Sequence, residues 1–385
     1  MDSPAAARRG NLDAARARLA AGEHRAAWDA ALTALDERPF HPEAWVLLAE
    51  IARTADDPDR ARSCLAQACR LAPGWKTARQ LARDLDRRPP RGAPATPATS
   101  DWPTPAPAPA EPRLSVCLIV RNEERFLTQC LQSVRDVAWQ IVVVDTGSTA
   151  RTMDLARAQG GEVGTFTWGD DFSAARNAAL ALARGDWVLV IDADEELRSD
   201  TLPALRDDLQ DARVMSYRLP LLNEGREHLG PSYVPRLFRN APGVLFEGRI
   251  HESCFPSVNQ RASLWGLESR TGRAVLRHHG YQAEVVTDRR KQDRNLSLLR
   301  QAVGERPDDA NLQMNLGMEL CKAGSVAAGL EHYRTAAQLL NKRPPQSVLP
   351  EFREAFLSRY AGQLLSAHDF AGVLEACASP LGRAR

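Results

Sequence analysis

The chain has 385 residues, 44% of them apolar, which is enough for two or three domains with real cores. Its 50 Lys plus Arg offset 49 Asp plus Glu, so no global field draws it to nucleic acid or to an acidic membrane, any basic patch would be local, and nucleic acid is not expected as a partner. Seven scattered cysteines without a CxxC spacing predict reduced, structural thiols rather than a disulfide framework or a zinc ribbon. The first residues lack an apolar signal-peptide core, and no stretch nears the roughly 18 apolar residues of a membrane span. The expected setting is therefore the cytoplasm.

Residues 10–87 are rich in Ala, Leu and Arg, with apolar residues at helical spacing and few β-branched residues. Within them "PEAWVLLAEIARTADDPDRARSCLAQACRLAPGW" runs from Pro42 to Trp75. Its small residues Ala49, Ala52, Ala61 and Ala68 let two antiparallel helices approach closely, and Pro73 ends the second. This spacing resembles the tetratricopeptide repeat, with a weaker copy over residues 9–41. Residues 1–87 are thus expected to form N-terminal helical repeats. Residues 88–112, "RPPRGAPATPATSDWPTPAPAPAEP", predict an extended polyproline-type spacer that leaves the repeats and the next domain separately tethered.

From Leu114 the pattern changes. "LSVCLIV" (114–120), "QIVVVD" (140–145) and "WVLVID" (187–192) are short apolar runs, separated by the helical stretches "EERFLTQCLQSVRDV" and "SAARNAALALARG". Alternation of buried strands with helices predicts a mostly parallel α/β sheet over residues 113–284. Residues 285–385 return to helix, and Leu316-Gly317, Gly329, Tyr333 and Ala336 repeat the tetratricopeptide-like signature.

Ligands of open α/β sheets bind beyond the carboxyl ends of the strands. There the sequence places Arg121, Asn122 and Glu123, then "DTGS" from Asp145, then Asp192, Asp194 and Glu195; the helix near Ser173 adds Arg176. No glycine-rich phosphate cradle is present. An Asp-x-Asp at a strand end offers hard oxygen ligands to Mg²⁺ or Mn²⁺, which can neutralise a diphosphate. The plainer reading makes Asp194–Glu196 the negative first turn of a helix.

The order, spacing and identity of the pieces from Leu114 to Glu196 resemble the nucleotide-sugar half of family 2 glycosyltransferases, which have the GT-A fold. The likeness extends through "VPRLFRN", "FEGRIHE", "RHHGY" and "RKQDRNLSLL", and the flanking repeats resemble a bacterial subgroup that joins such a transferase to tetratricopeptide repeats. The resemblance implies that Val120, Arg121, Asn122 and Glu123 line the base and ribose, and that Asp145 accepts a hydrogen bond from the base. Arg176 is implied to meet base or diphosphate, Asp192 to touch ribose or metal, and Asp194 to bind the metal directly. Glu252 of "GRIHE" is the implied general base, against the plainer reading of a salt-bridged surface acid. His278 matches the third metal ligand better than His279 does, and an imidazole tilts the preference from Mg²⁺ to Mn²⁺. The motif "DTGSTA" departs from the family by placing Ala150 where an acid is usual, which predicts weaker capping of the following helix.

The expected function is an inverting, metal-dependent transfer of sugar from a nucleotide-sugar donor, with UDP preferred, to a glycan, lipid-linked glycan or peptide acceptor. The helical repeats are expected to hold a protein or peptide, as acceptor or partner. Two other readings stand beside it. One is an interaction scaffold of repeats carrying an idle GT-A domain. The other is a nucleotidyltransferase or sugar-nucleotide hydrolase, disfavoured because the N-terminal glycine-rich, lysine-containing loop is absent.

Overall fold

The three apolar runs form parallel strands because residues buried on both faces cannot alternate with polar ones. In the computed structural model, which describes residues 9–87, 99–107, 111–149, 151–279, 285–344 and 350–383, they are β1 (Leu114–Val120), β2 (Gln140–Asp145) and β4 (Trp187–Val190). β3 (Glu162–Thr165) extends the parallel set. β5 (Glu195–Leu197), β6 (Val214–Asn223), β7 (Ser232–Arg239), β8 (Glu268–Thr271) and β9 (Leu276–His278) complete one sheet in the order β3-β2-β1-β4-β7-β6-β9-β5, with β8 pairing β6. The parallel half carries helices Leu127–Val134, Thr152–Ala158 and Phe172–Leu182 in its crossovers. β7 runs antiparallel to β4, so the sheet is mixed, which is the GT-A arrangement. Registers align Val120 with Asp145 and Cys117 with Val190, bringing the loops after β1, β2 and β4 to one edge.

The chain divides into two compact units, residues 1–169, 173–247 and 252–282 forming the first and residues 170–172, 248–251 and 283–385 the second. In the first unit the helices His24–Glu37, Pro42–Thr54 and Pro58–Leu71 form tetratricopeptide-like hairpins, and they share a continuous apolar core with the sheet domain. Phe40 meets Trp265 edge-on at 5.8 Å, Arg239 lies over both Phe40 and Trp187, and the buried Arg38 guanidinium donates to Asn240 Oδ1. Gly74 and Gly266 touch backbone to backbone, since a Cβ on Gly74 would fall 1.9 Å from the Gly266 carbonyl oxygen. The separate tethering expected from composition is therefore not observed.

The spacer itself is also corrected where it is described. Residues 99–103 pack rather than span: Trp102 is buried against Trp28 at 5.3 Å, Trp28 Nε1 donates to the Pro103 carbonyl, and Arg60 reaches the carbonyls of Thr99 and Trp102. Proline fixes local conformation but leaves carbonyls unpaired, and buried indole and guanidinium donors supply their partners. Residues 88–98 and 108–110 lie outside the described residues, as do Ala150, Gly280 and Tyr281.

In the second unit, helices Ala310–Lys322 and Val326–Asn341 form another close pair, with Gly317 and Gly329 at their crossing. Helix Val285–Glu305 packs Leu296 and Leu299 against Ile250, Leu316 and Leu320. Helices Pro350–Ser366 and Phe370–Ala378 follow. No helix among the described residues is long and apolar enough to cross a membrane. The cysteines are unpaired, and burial pushes the Cys117 and Cys254 thiols up to about 12, which suits a structural role.

His41 caps helix Pro42–Thr54 through Nδ1, and its Nε2 lies 2.8 Å from the Gly10 carbonyl. Burial pushes this imidazole down to about 4. The folded chain keeps His41 neutral while the unfolded chain takes up a proton below about 6.5, so stability is lost as pH falls from 6.5 towards 4, by up to about 3 kcal/mol. Urea unfolding across that range should show a shallower decline for His41→Asn, which keeps a capping oxygen but does not titrate; equal slopes would exclude the effect.

Candidate active site

The buried strand β4 ends at Val190, Ile191 is still fully buried, and four carboxylates lie beyond it: Asp192, Asp194, Glu195 and, from a later loop, Glu252. The turn is closed reciprocally. Asp192 N donates to Glu195 Oε2 at 2.9 Å, and Glu195 N donates to the Asp192 carbonyl at 3.0 Å. The chain then enters β5 rather than a helix, so the helical-turn reading of Asp194–Glu196 is overturned. β5 prevails because β9 supplies an antiparallel partner, pairing Glu195 with His278.

The counter-charge is internal. Arg176 Nη2 donates to Asp192 Oδ1 at 2.5 Å and its Nε donates to Glu252 Oε1 at 3.1 Å. Arg236 Nη2 donates to Asp192 Oδ2 and to Glu195 Oε1, both at 2.7 Å. Burial opposes ionisation of Asp192, yet Arg236 and Arg176 together hold it well below the usual carboxylate range. Burial, reinforced by the charge on Asp192, pushes Glu195 up to about 7. The Arg236 guanidinium, disfavoured by burial, is held firmly charged by Asp192 and Glu195.

Local structure explains each position. Arg176 lies on the buried face of helix Phe172–Leu182, one residue before Asn177, whose amide exchanges two hydrogen bonds of 2.8 Å with the Phe246 backbone. Glu247 and Ser253 exchange backbone bonds of 3.0 Å, and this bridge holds Glu252 beside Arg176. Arg236 arrives because the Leu189–Leu237 pairing of β4 with antiparallel β7 sets it beside the carboxyl end of β4.

His278 sits in two registers at once, opposite Glu195 on β5 and opposite Asn223 on β6. Its Nδ1 lies 3.0 Å from Asn223 Oδ1 and its Nε2 lies 3.3 Å from Asp194 Oδ2. With the Nδ1 proton on Asn223, Nε2 faces a carboxylate, an arrangement that needs either a second proton or a cation between them. The hydrogen bond to Asp194 accordingly raises the His278 pKa, against the effect of burial. Carboxylate and imidazole facing each other at this separation fit two ligands of one Mn²⁺ or Mg²⁺. Asp192, the other expected ligand, has both oxygens on guanidinium groups, and among the described residues no group of three His, Cys, Asp or Glu side chains is assembled around a common point. His279 turns elsewhere, towards Glu196 and Glu224.

At the ends of β1 and β2, Val120 is buried, Arg121 is exposed and Glu123 is half-buried. Asn122 adopts a left-handed φ of 56°, accepts from Thr149 N through Oδ1 and gives its own N–H to Ser148 Oγ, which stitches the two loops together. The Asp145 carboxylate accepts from Gly147 N and Ser148 N at 3.1 and 3.0 Å, so it closes its own turn. Sequence reasoning missed Arg236, Glu195 as its partner, and Asn223. The only sequence signal for Arg236 was its place in "VPRLFRN".

Residues 115–257 match the family model described as glycosyl transferase family 2. This stretch is a family 2 glycosyltransferase domain. A tetratricopeptide repeat-containing protein of Synechococcus elongatus is 34% identical over 267 residues, covering 67% of this chain and 64% of that protein. The SPbeta prophage-derived glycosyltransferase SunS of Bacillus subtilis is 28% identical over 217 residues, covering 54% of this chain and 49% of that protein. The chain thus spans between about half and two thirds of these relatives' lengths. The solved structure of S. aureus TarS 1-349 in complex with UDP-GlcNAc aligns with a TM-score of 0.39 at 16% identity, over 61% of this chain and 82% of that one.

Removal of Arg236 strips one buried and one partly exposed carboxylate of the family 2 domain of their shared partner. Arg236→Met should cost about 3 kcal/mol in urea unfolding, and adding Glu195→Gln should restore at least half of that. A double variant no more stable than the single one would show that the Arg236–Glu195 pair is not the source.

Proposed function

We propose that this chain is an inverting glycosyltransferase that moves a sugar from a nucleotide-sugar donor, with UDP preferred, to a glycan, lipid-linked glycan or peptide acceptor. One observation supports the reading: beyond β4, Asp192 and Glu252 share Arg176, and two residues after Asp192 the Asp194 carboxylate faces His278. The loops of residues 121–123 and 145–148 are offered for base and ribose, with Asp145 using carboxylate lone pairs beyond those its turn occupies. Arg176 Nη1 is buried with no hydrogen-bond partner among the described residues, a donor suited to a phosphate oxygen.

Asp194 and His278 would hold a divalent cation, Mn²⁺ in preference to Mg²⁺, with Asp192 joining them. Such a cation, when bound, supplies positive charge against the departing diphosphate. Glu252 takes the proton of the acceptor hydroxyl or thiol, and Arg176 fixes the orientation of its carboxylate. A protein or peptide partner would lie along the N-terminal repeats, where a cleft of about 350 Å³ is lined by Val46, Ala49, Arg53, Leu65 and Leu81.

The scaffold reading draws on the engagement of both Asp192 oxygens by guanidinium groups. Incubation with a panel of UDP- and GDP-sugars plus Mn²⁺ separates the two readings. The transferase reading expects slow donor hydrolysis that Asp194→Ala abolishes, and Glu252→Gln should retain donor affinity while slowing transfer about 100-fold or more. Absence of both nucleotide binding and hydrolysis would leave the scaffold.

A further inference from the structure

The acids beyond β4 already hold two cations, and both belong to the protein. We propose that Arg236 keeps Asp192 out of the metal site until a nucleotide diphosphate arrives, so that the divalent cation enters with the donor and not before it. This rests on the transferase reading above and concerns how the same site is assembled.

The geometry leaves no Asp192 oxygen without a guanidinium contact, Oδ1 being on Arg176 and Oδ2 on Arg236. The Asp192 side chain nevertheless stays 37% exposed, so a cation can reach it once a guanidinium leaves. The two guanidinium charges also offset the carboxylates Asp192, Glu195 and Glu252, which weakens the pull of these acids on an incoming dication. A diphosphate changes the balance: it brings negative oxygens of the kind that guanidinium groups bind bidentately, and Arg176 already presents a buried donor, Nη1, with no partner among the described residues.

Arg236 is the side chain placed to yield. Arg176 is held at both ends, by Asp192 and by Glu252, and is only 8% exposed. Arg236 is 17% exposed, and its second contact, Glu195, is itself fixed by Asp192 N through the other carboxylate oxygen. The guanidinium can therefore leave Asp192 and turn to a phosphate while its contact with Glu195 keeps it anchored. Asp192 is then released to the Asp194–His278 pair. Because binding linkage is reciprocal, the nucleotide tightens the metal by the factor with which the metal tightens the nucleotide.

The test is Mn²⁺ binding to the full chain, followed by the EPR signal of free Mn²⁺, with and without UDP. It compares the parent, Glu195→Gln, and Arg236→Met combined with Glu195→Gln, the last chosen to limit the stability loss. In the parent, UDP should strengthen Mn²⁺ binding about 30-fold. The double variant should bind Mn²⁺ without UDP about 10-fold more tightly than Glu195→Gln alone, and the effect of UDP should shrink to below about 5-fold. If the double variant fails to fold, Arg236→Lys serves, since an ammonium lacks the planar fork; its Mn²⁺ affinity without UDP should rise about 3-fold. Unchanged or weaker Mn²⁺ binding without UDP in the folded variant, with the parent still coupling metal to UDP, would overturn the role of Arg236 and leave the transferase reading standing. A parent that binds neither Mn²⁺ nor UDP would overturn both.

Discussion

A strand buried on both faces cannot end in a cluster of carboxylates unless positive charge meets them, and much of the sheet's topology serves that requirement. β4 delivers Asp192 and, after a closed turn, Asp194 and Glu195. The antiparallel insertion of β7 next to β4 brings Arg236 to the same edge, and the helix before β4 brings Arg176. The two guanidinium groups share Asp192 and reach separately to Glu195 and Glu252, so three carboxylates from two parts of the chain are tied to one charge balance. Buried pairs of this kind contribute little net stability, but they fix geometry, because any member left alone is costly.

That balance explains why the same residues can be both structural and chemical. Glu252 in an ion pair with Arg176 looks like an ordinary salt bridge, yet the pair holds the carboxylate in a fixed orientation beside the acids of β4. The Asp194–His278 contact looks like a histidine cap on a short strand. Its Nε2, opposed to the Asp194 carboxylate while Nδ1 is backed by Asn223, also favours a proton on the ring. The site thus holds its own counter-ions, Arg176 and Arg236.

The helical repeats of the first unit take part in this rigidity. They share apolar surface with the sheet domain, and Arg38 reaches Asn240, whose amide bonds the carbonyls of Ala183 and Gly185 at the entrance to β4. At the Gly74–Gly266 contact the two backbones lie too close for a side chain on either residue. A segment bound on these repeats would be carried in a fixed relation to the strand ends, rather than on a flexible tether.

Part of this was legible without coordinates. Runs of β-branched residues identified β1, β2 and β4, and the acids that follow each run were visible because strand ends are local features of the chain. Asp192, Asp194, Arg176, Glu252 and His278 were named from the sequence, and the structure brings them to one edge of the sheet. Arg236, Asn223 and the part played by Glu195 were not legible, since each depends on strand pairing between residues tens of positions apart, and a one-residue change of register would point them elsewhere. The spacer was misread for a related reason. Proline content sets the conformation of residues 99–107 but says nothing of the indole and guanidinium donors waiting for their carbonyls. Composition and periodicity determined which elements form; only the packed sheet decided which charges meet, because electrostatic partners are chosen in space and not along the chain.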